Sequence, residues 1–205
     1  MPAERVVYIV DDDPAIRRSL ERLLDAADIQ ALSYATPQAF LDAAGGLPAG
    51  CALVDLRMPE MNGLEVQEQL QQMKAQLPII LMTGQGDIQS AVRAMKNGAA
   101  DFIEKPYSDD ALIAAIESAL KAGPQQNRTD EIAAAAARVE TLSPRERQVL
   151  DALVAGRANK VIAFDLGISV RTVEVHRARM MDRLGVRQFA EAVRLAVLAK
   201  LSAAN

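Results

Sequence analysis

Leu53-Val54-Asp55-Leu56-Arg57-Met58-Pro59 is an apolar run that ends on one carboxylate, with turn signals following at Pro59 and at Asn62-Gly63. A run this short and this apolar predicts a strand buried on both faces, with Asp55 held at its C-terminal lip. In an open parallel sheet that lip is where ligands bind. What could bind there depends on the residues that the neighbouring strands bring to the same edge.

Working outward, residues 6–10, 79–82 and 101–104 are further short runs bounded by turn signals, and 30–34 gives a fainter strand pattern. Helical patterns alternate with them over 14–27, 37–43, 65–73, 87–96 and 108–121. Asp13 and Thr36 each precede a Pro at a first helical position, Ser108 precedes two acids, and Asn97-Gly98 is a suitable stop. Five strands alternating with five helices predict a doubly wound, parallel α/β sheet with helices on both faces.

The character changes at Gly123. Gly-Pro-Gln-Gln-Asn-Arg is polar and rich in breakers, so it reads as a linker. The alanine-rich 132–139 predicts a helix that extends the linker as a semi-rigid arm or pairs with a second copy. Beyond Leu142 there are four helical patterns, 144–155, 159–166, 170–184 and 189–201, separated by glycines, and no strand signal. The expected division is a domain over 1–122, a partly helical linker over 123–140 and an all-α domain over 141–205.

Composition narrows the function. The 205 residues are half apolar and a quarter charged, as in ordinary globular chains. The single Cys51 excludes an intramolecular disulfide, and no Cys/His cluster offers a zinc site. Residues 1–10 hold only five consecutive apolar residues before three aspartates, so the expectation is a cytoplasmic protein without a signal or membrane segment. The net charge of −4 conceals an asymmetry: residues 1–122 carry 10 Lys and Arg against 18 Asp and Glu, and 123–205 carry 13 against 9. An acidic half suits cations, and a basic half suits a polyanion.

In such a sheet Asp11-Asp12-Asp13 ends the first strand, Asp55 the third, Thr83 the fourth and Lys105 the fifth. Asp13 alone reads as a helix cap. Two unit negative charges ~4 Å apart repel by roughly 4 kcal/mol at an effective dielectric near 20, so clustered carboxylates call for a cation. An all-oxygen donor set points to Mg²⁺ or Mn²⁺. Asp55 is then the nucleophile toward a phosphoryl group, Lys105 a point charge for one phosphoryl oxygen and Thr83 a hydroxyl for another. No general base is needed, because a carboxylate is already an anion at pH 7.

Val10-Asp-Asp-Asp, Asp55-Leu-Arg-Met-Pro-Glu-Met-Asn-Gly, Met82-Thr-Gly and Glu104-Lys-Pro, in this order and spacing over 4–122, resemble the receiver domain of bacterial two-component response regulators. The resemblance implies a flavodoxin-like fold and a sensor histidine kinase that phosphorylates Asp55. It implies Mg²⁺ held by Asp12, Asp55 and the backbone carbonyl of Arg57, with Asp11 acting through a water. It also implies a cis Lys105-Pro106 peptide and a switch in which the Thr83 hydroxyl moves toward phosphate and the Phe102 ring turns inward. Val92 and Lys96 are candidates for the output surface.

In the basic half, 159–178 reads as helix, turn, helix, with Ser169 capping the second helix. Val173, Met180 and Leu184 recur at helical spacing and predict the core side. Val170, Arg171, Glu174, Val175 and Ala178 are left for a DNA groove: Glu174 can accept from cytosine N4, Val175 can touch a thymine methyl and Arg171 can reach guanine or phosphate. Asn159, Lys160, Thr172, His176, Arg177 and Arg179 are candidates for the DNA backbone. Leu142-Ser-Pro-Arg-Glu-Arg-Gln-Val-Leu, Asn159-Lys-Val-Ile-Ala, Ser169-Val-Arg-Thr-Val-Glu-Val-His and Arg183-Leu-Gly-Val are similar to the LuxR-type helix-turn-helix over 141–200. Val170 stands where that family often has proline. The whole chain thereby resembles the FixJ group of response regulators. That resemblance implies a homodimer on phosphorylation, a last helix that supplies a dimer contact, a two-fold site in double-stranded DNA and RNA polymerase as a further partner.

Two other readings remain in view. An aspartate-nucleophile phosphatase generally carries a second acid two residues after the nucleophile, where this chain has Arg57. A DNA-binding protein independent of phosphorylation would have no use for the full acid set.

Overall fold

A computed structural model describes residues 6–75, 77–84, 88–121, 126–186 and 189–202; at 88, 126–130, 190 and 201 the description is of the backbone alone. Asp87, the expected start of the fourth helix, and residues 123–125 of the expected linker lie outside the described residues. The described chain divides into two compact units, one holding the sheet and the other made of residues 88–92 together with the chain from Gln126 onward.

Over residues 6–121 β1 (Val6–Val10), β2 (Gln30–Tyr34), β3 (Gly50–Asp55), β4 (Ile79–Thr83) and β5 (Asp101–Glu104) alternate with α1 (Pro14–Ala26), α2 (Pro37–Ala44), α3 (Gly63–Gln72), α4 (Ile88–Lys96) and α5 (Asp109–Lys121). All the pairings are parallel, in the order β2-β1-β3-β4-β5. Every residue of β1 and β4 is buried, because helices cover both faces. Alternate side chains sort into two layers. Val7, Ile9, Leu53, Ile80 and Met82 pack with Leu20 and Leu24 of α1 and Leu112 and Ile116 of α5. Their neighbours Tyr8, Val54, Leu81 and Phe102 point to the opposite layer, where the Tyr8 ring lies 6.5 Å from Phe40 of α2. The faint pattern at 30–34 has a simple cause: β2 is an edge strand, and three of its five residues are exposed.

Helix starts follow local chemistry. Asp13 accepts from the Ala15 amide at 2.7 Å and Thr36 from Ala39 at 3.2 Å, each just before a Pro at the first position. α3 begins at Gly63, two residues earlier than the periodicity predicts. Asn62 is a cap, not only a turn residue: its side chain accepts from Leu64 and Glu65, while the Glu65 carboxylate accepts from the Asn62 amide at 2.7 Å. Gly63 itself sits against the back of the phosphoacceptor candidate. A β-carbon there would meet the Asp55 carbonyl oxygen at 2.6 Å, so only glycine allows α3 to start this close to β3.

The second unit comprises α6 (Gln126–Glu140), α7 (Pro144–Val154), α8 (Asn159–Leu166), α9 (Val170–Leu184) and α10 (Phe189–Ser202). α6 is longer than the predicted 132–139, and it packs along α10 of the same chain. Its buried residues Ala135 and Val139 lie one helical turn apart on a single face. Glu131 pairs with Arg194 of α10 at 3.2 Å, and the Arg138 guanidinium donates to the Leu184 carbonyl. A Ser143–Glu146 capping box starts α7. Gly167, at φ +64°, ends α8 in the left-handed conformation that glycine accepts freely, and Ser169 accepts from the Thr172 amide at 3.1 Å to start α9. Val173, Met180 and Leu184 are buried. The helix-turn-helix geometry thus follows from one glycine, one cap and a 3.6-residue stripe.

Candidate functional site

The strand order reverses between β1 and β3, and in open α/β sheets the crevice at such a reversal, outside the strand C-termini, takes ligands. The register brings the chemistry there. Val10 pairs with Val54, Asp55 with Met82 and Thr83 with Glu104, so Asp11, Asp55, Thr83 and Lys105 all lie within one residue of a strand end. The ladder continues past them: the amides of Asp11, Leu56 and Lys105 donate to the carbonyls of Tyr34, Met82 and Thr83.

At the centre is an ion-paired trio. The Lys105 ammonium lies 2.6 Å from Asp55 Oδ1 and 3.3 Å from Asp11 Oδ2. The other carboxylate oxygens are held by backbone: Asp55 Oδ2 accepts from the Arg57 amide at 2.9 Å, and Asp11 Oδ1 from Asp13 at 2.9 Å. Burial pushes the Asp11 carboxyl above its ordinary range, against the lowering effects of the Asp13 amide and the Lys105 charge. Burial alone would lower the Lys105 pKa, but the hydrogen bond and charge of Asp55, joined by Asp11, lift it above the usual lysine value. The Lys105-Pro106 peptide is cis.

Thr83 is 2 % exposed, and among the described residues its hydroxyl makes a long contact of 3.4 Å to the Gly84 carbonyl. Phe102 is already buried. Asp12 is exposed, and among the described residues no side-chain hydrogen bond or ion pair holds its carboxylate. The structure therefore separates three consecutive aspartates into one that is buried and ion-paired, one that is open and one that caps a helix.

Among the described residues no three His, Cys, Asp or Glu side chains gather into a ready-made metal cage. The oxygens present still fit Mg²⁺, which usually takes one or two carboxylates and keeps several waters. Asp11 and Asp55 already converge on one cation, and Asp12 stands open beside them.

On α9, Val170, Arg171, Glu174, Val175, Ala178 and Arg179 are exposed, and Thr172, His176 and Arg177 are half-buried. Arg177 does not simply point outward: its guanidinium lies 4.5 Å from the centroid of the Phe189 ring. The His176 Nδ1 atom is buried without a hydrogen-bond partner among the described residues. Lys160 is exposed and Asn159 half-buried on the first turn of α8, where no side chain caps the amides.

Residues 7–117 match the family described as "Response regulator receiver domain", and residues 140–196 match "Bacterial regulatory proteins, luxR family". The whole chain is 45 % identical to the transcriptional regulatory protein FixJ of Azorhizobium caulinodans, covering 98 % of that protein. The chain belongs to the FixJ-type two-component response regulators. The FixJ protein of Bradyrhizobium diazoefficiens is 46 % identical over 94 % of this chain and 95 % of its own. Among solved structures, full-length FixJ from B. japonicum shares 46 % identity over 97 % of this chain and 98 % of its own, with a TM-score of 0.58. The structure of the response regulator StyR shares 38 % identity over 95 % and 98 %, with a TM-score of 0.56. As a FixJ-type regulator the chain is a phosphorylation-dependent transcription regulator, with a sensor kinase as partner on the receiver side and DNA on the other. Receiver domains generally use Mg²⁺. Among the described residues no helix is long and apolar enough to cross a membrane.

Proposed function

We propose that Asp55 accepts a phosphoryl group from a sensor histidine kinase, and that the acidic edge of the sheet exists to make this transfer possible. The observation that carries the reading is the Lys105 ammonium shared by the carboxylates of Asp55 and Asp11 at 2.6 and 3.3 Å. A nucleophilic oxygen of Asp55 forms the new bond to phosphorus while the bond from phosphorus to the donor breaks, and the electron pair leaves with the donor. The Arg57 amide fixes the plane of the attacking carboxylate through the second oxygen. Lys105 transfers its charge from the carboxylates to a phosphoryl oxygen, and Thr83 gives up a weak 3.4 Å contact to donate to another. A divalent cation, Mg²⁺ or Mn²⁺, held by Asp12, Asp55 and the Arg57 carbonyl with Asp11 acting through a water, supplies neutralising charge for the crowded oxygens.

Phe102 completes the switch by moving between two sheltered positions, since it starts from a buried one. The receiver spans 1–122 and the DNA-binding domain 141–205, with α6 packed as an extension of the latter. Phosphorylation favours a homodimer that reads a two-fold site, a population shift between two states. Glu174, Val175, Val170, Arg171 and Ala178 enter the major groove. Asn159, Lys160, Thr172, His176, Arg177 and Arg179 position the helix on phosphates, aided by the uncapped amides of α8. The dimer contacts RNA polymerase and works in the cytoplasm. Phosphorylation and spontaneous loss of phosphate at Asp55 are the only chemistry, with no outside substrate turned over.

The test is incubation with a small phosphodonor and Mg²⁺, followed by mass spectrometry and a DNA-binding assay. One phosphate per chain on Asp55, tighter DNA binding and loss of both in Asp55→Asn are expected. Labelling that persists in Asp55→Asn, or many turnovers of the donor, would overturn the reading.

A further inference from the structure

We infer that Arg17 is a positioning residue for the phosphorylation site, acting through the backbone that carries the acids; the inference rests on the metal-assisted reading above. Arg17 is half-buried at the end of the first turn of α1. Its Nη1 atom donates to two successive backbone carbonyls, those of Asp11 at 2.7 Å and Asp12 at 3.0 Å. These carbonyls belong to the peptide groups on either side of Asp12, so one guanidinium fixes both planes between which the Asp12 backbone must turn. The Cα–Cβ direction of Asp12 follows from that turn.

The acids of the cluster are not held alike. Asp11 is tied by its own carboxylate to the Asp13 amide and to Lys105, and Asp55 to the Arg57 amide and to Lys105. Asp13 is tied to the Ala15 amide as a cap. Asp12 has no such side-chain tether among the described residues, and Arg17 is the group that holds the main chain on both sides of it. A ligand that must not swing away needs either its own partner or a fixed backbone, and here the fixed backbone comes from α1. Arg suits the task better than Lys, because its planar fork presents fixed donors and is more weakly hydrated than an ammonium. Its contacts run to backbone carbonyls, so the guanidinium takes up no carboxylate oxygen of the cluster. Outer partners of this kind typically change metal affinity by about 10–100-fold when removed.

The experiment titrates the full chain with Mn²⁺ alone, reading free Mn²⁺ by electron paramagnetic resonance, on wild type, Arg17→Ala, Arg17→Lys and Arg18→Ala. Circular dichroism and melting curves are recorded alongside. Weaker Mn²⁺ binding by about tenfold in Arg17→Ala, an intermediate loss of roughly threefold in Arg17→Lys and no change in Arg18→Ala, an exposed neighbour, are expected. The metal concentration for half-maximal phosphorylation should rise in parallel while the rate at saturating metal is largely kept. A role confined to holding α1 would lower the melting temperature without changing Mn²⁺ affinity, and that result, or wild-type affinity in folded Arg17→Ala, overturns the inference. Should Arg17→Ala not fold, Arg17→Lys decides: the threefold loss supports the role, and wild-type affinity overturns it. Wild type that binds no Mn²⁺ would instead overturn the site reading beneath it.

Discussion

Lys105 and Asp55 leave the sheet from β5 and β3, two strands with β4 between them, and their side chains meet at 2.6 Å. The ammonium therefore bridges over the end of the middle strand, above Thr83. A cation in that place offsets part of the charge of the two carboxylates and is also the group that an incoming phosphoryl oxygen would attract.

Replacing Lys105 by Ala leaves Asp11 and Asp55 facing each other without their shared charge. In metal-free buffer the receiver is expected to lose about 1–2 kcal/mol, a value kept small because the lysine side chain is 25 % exposed. Mg²⁺ should then raise the melting temperature more in the variant than in wild type. The wild-type contribution has a defined alkaline limit. Because the Lys105 pKa is raised in the folded state, its contribution is complete below the ordinary value of 10.5 and is lost as pH climbs through the raised one. Melting curves with chelator and with Mg²⁺, and from pH 8 upward, check both statements.

Glu146 gives the opposite dependence. Burial resists its ionisation, but the amide and hydroxyl of Ser143, with Arg183 and His176 nearby, hold its carboxyl below the usual range. A depressed carboxyl stabilises the fold above its unfolded pKa, and that stabilisation is lost as pH falls through the folded value. The α6–α10 unit of wild type should therefore weaken on acidification. Glu146→Gln should cost about 1 kcal/mol near neutrality, the usual size of a cap, and flatten the acid limb, as followed by helical circular dichroism between pH 7 and 3.

DNA contacts should separate by kind. Glu174→Gln is expected to change the preference at one base pair of each half-site by about 1–3 kcal/mol, with the salt dependence unchanged. Lys160→Ala should weaken all sequences alike and reduce the slope of log K against log salt by roughly one. Equilibrium binding to a selected site and its single-base variants, at several salt concentrations, distinguishes the two.

Cys51 is fully buried in β3, and burial pushes its thiol pKa up to about 12. A thiolate is the reacting species, so native protein should resist a maleimide and react only at the rate of global opening. Mass spectrometry in native buffer and in denaturant measures the contrast.

Much of this was readable beforehand, for physical reasons. Short continuous apolar runs mark strands covered on both faces and period-3.6 burial marks the helices, and parallel strands must present their C-termini together, so Asp11, Asp55, Thr83 and Lys105 could be placed on one edge without coordinates. Side chain-to-backbone contacts have no such period. Nothing in Asp11-Asp12-Asp13 says which carboxylate is buried, nothing in Arg17-Arg18 says which guanidinium takes two carbonyls, and Asn62 resembles any turn residue until its cap is seen. Arg177 over Phe189 belongs to the same class, a contact between residues that no spacing rule connects. The alanine stripe of α6 announced a face but not its partner. Small apolar residues fit any neighbouring helix, and the polar start at Gln126 concealed the helix ahead of residue 132.

The pairing of α6 with α10 bears on any attempt to transplant the output module. A seam cut at 141 would remove α6 from its place along α10 and leave Arg194 without Glu131, inviting aggregation of the excised piece. A graft that begins at 126 carries its own apolar floor, so a chimeric regulator built on that junction inherits a folded cassette and not a sticky fragment.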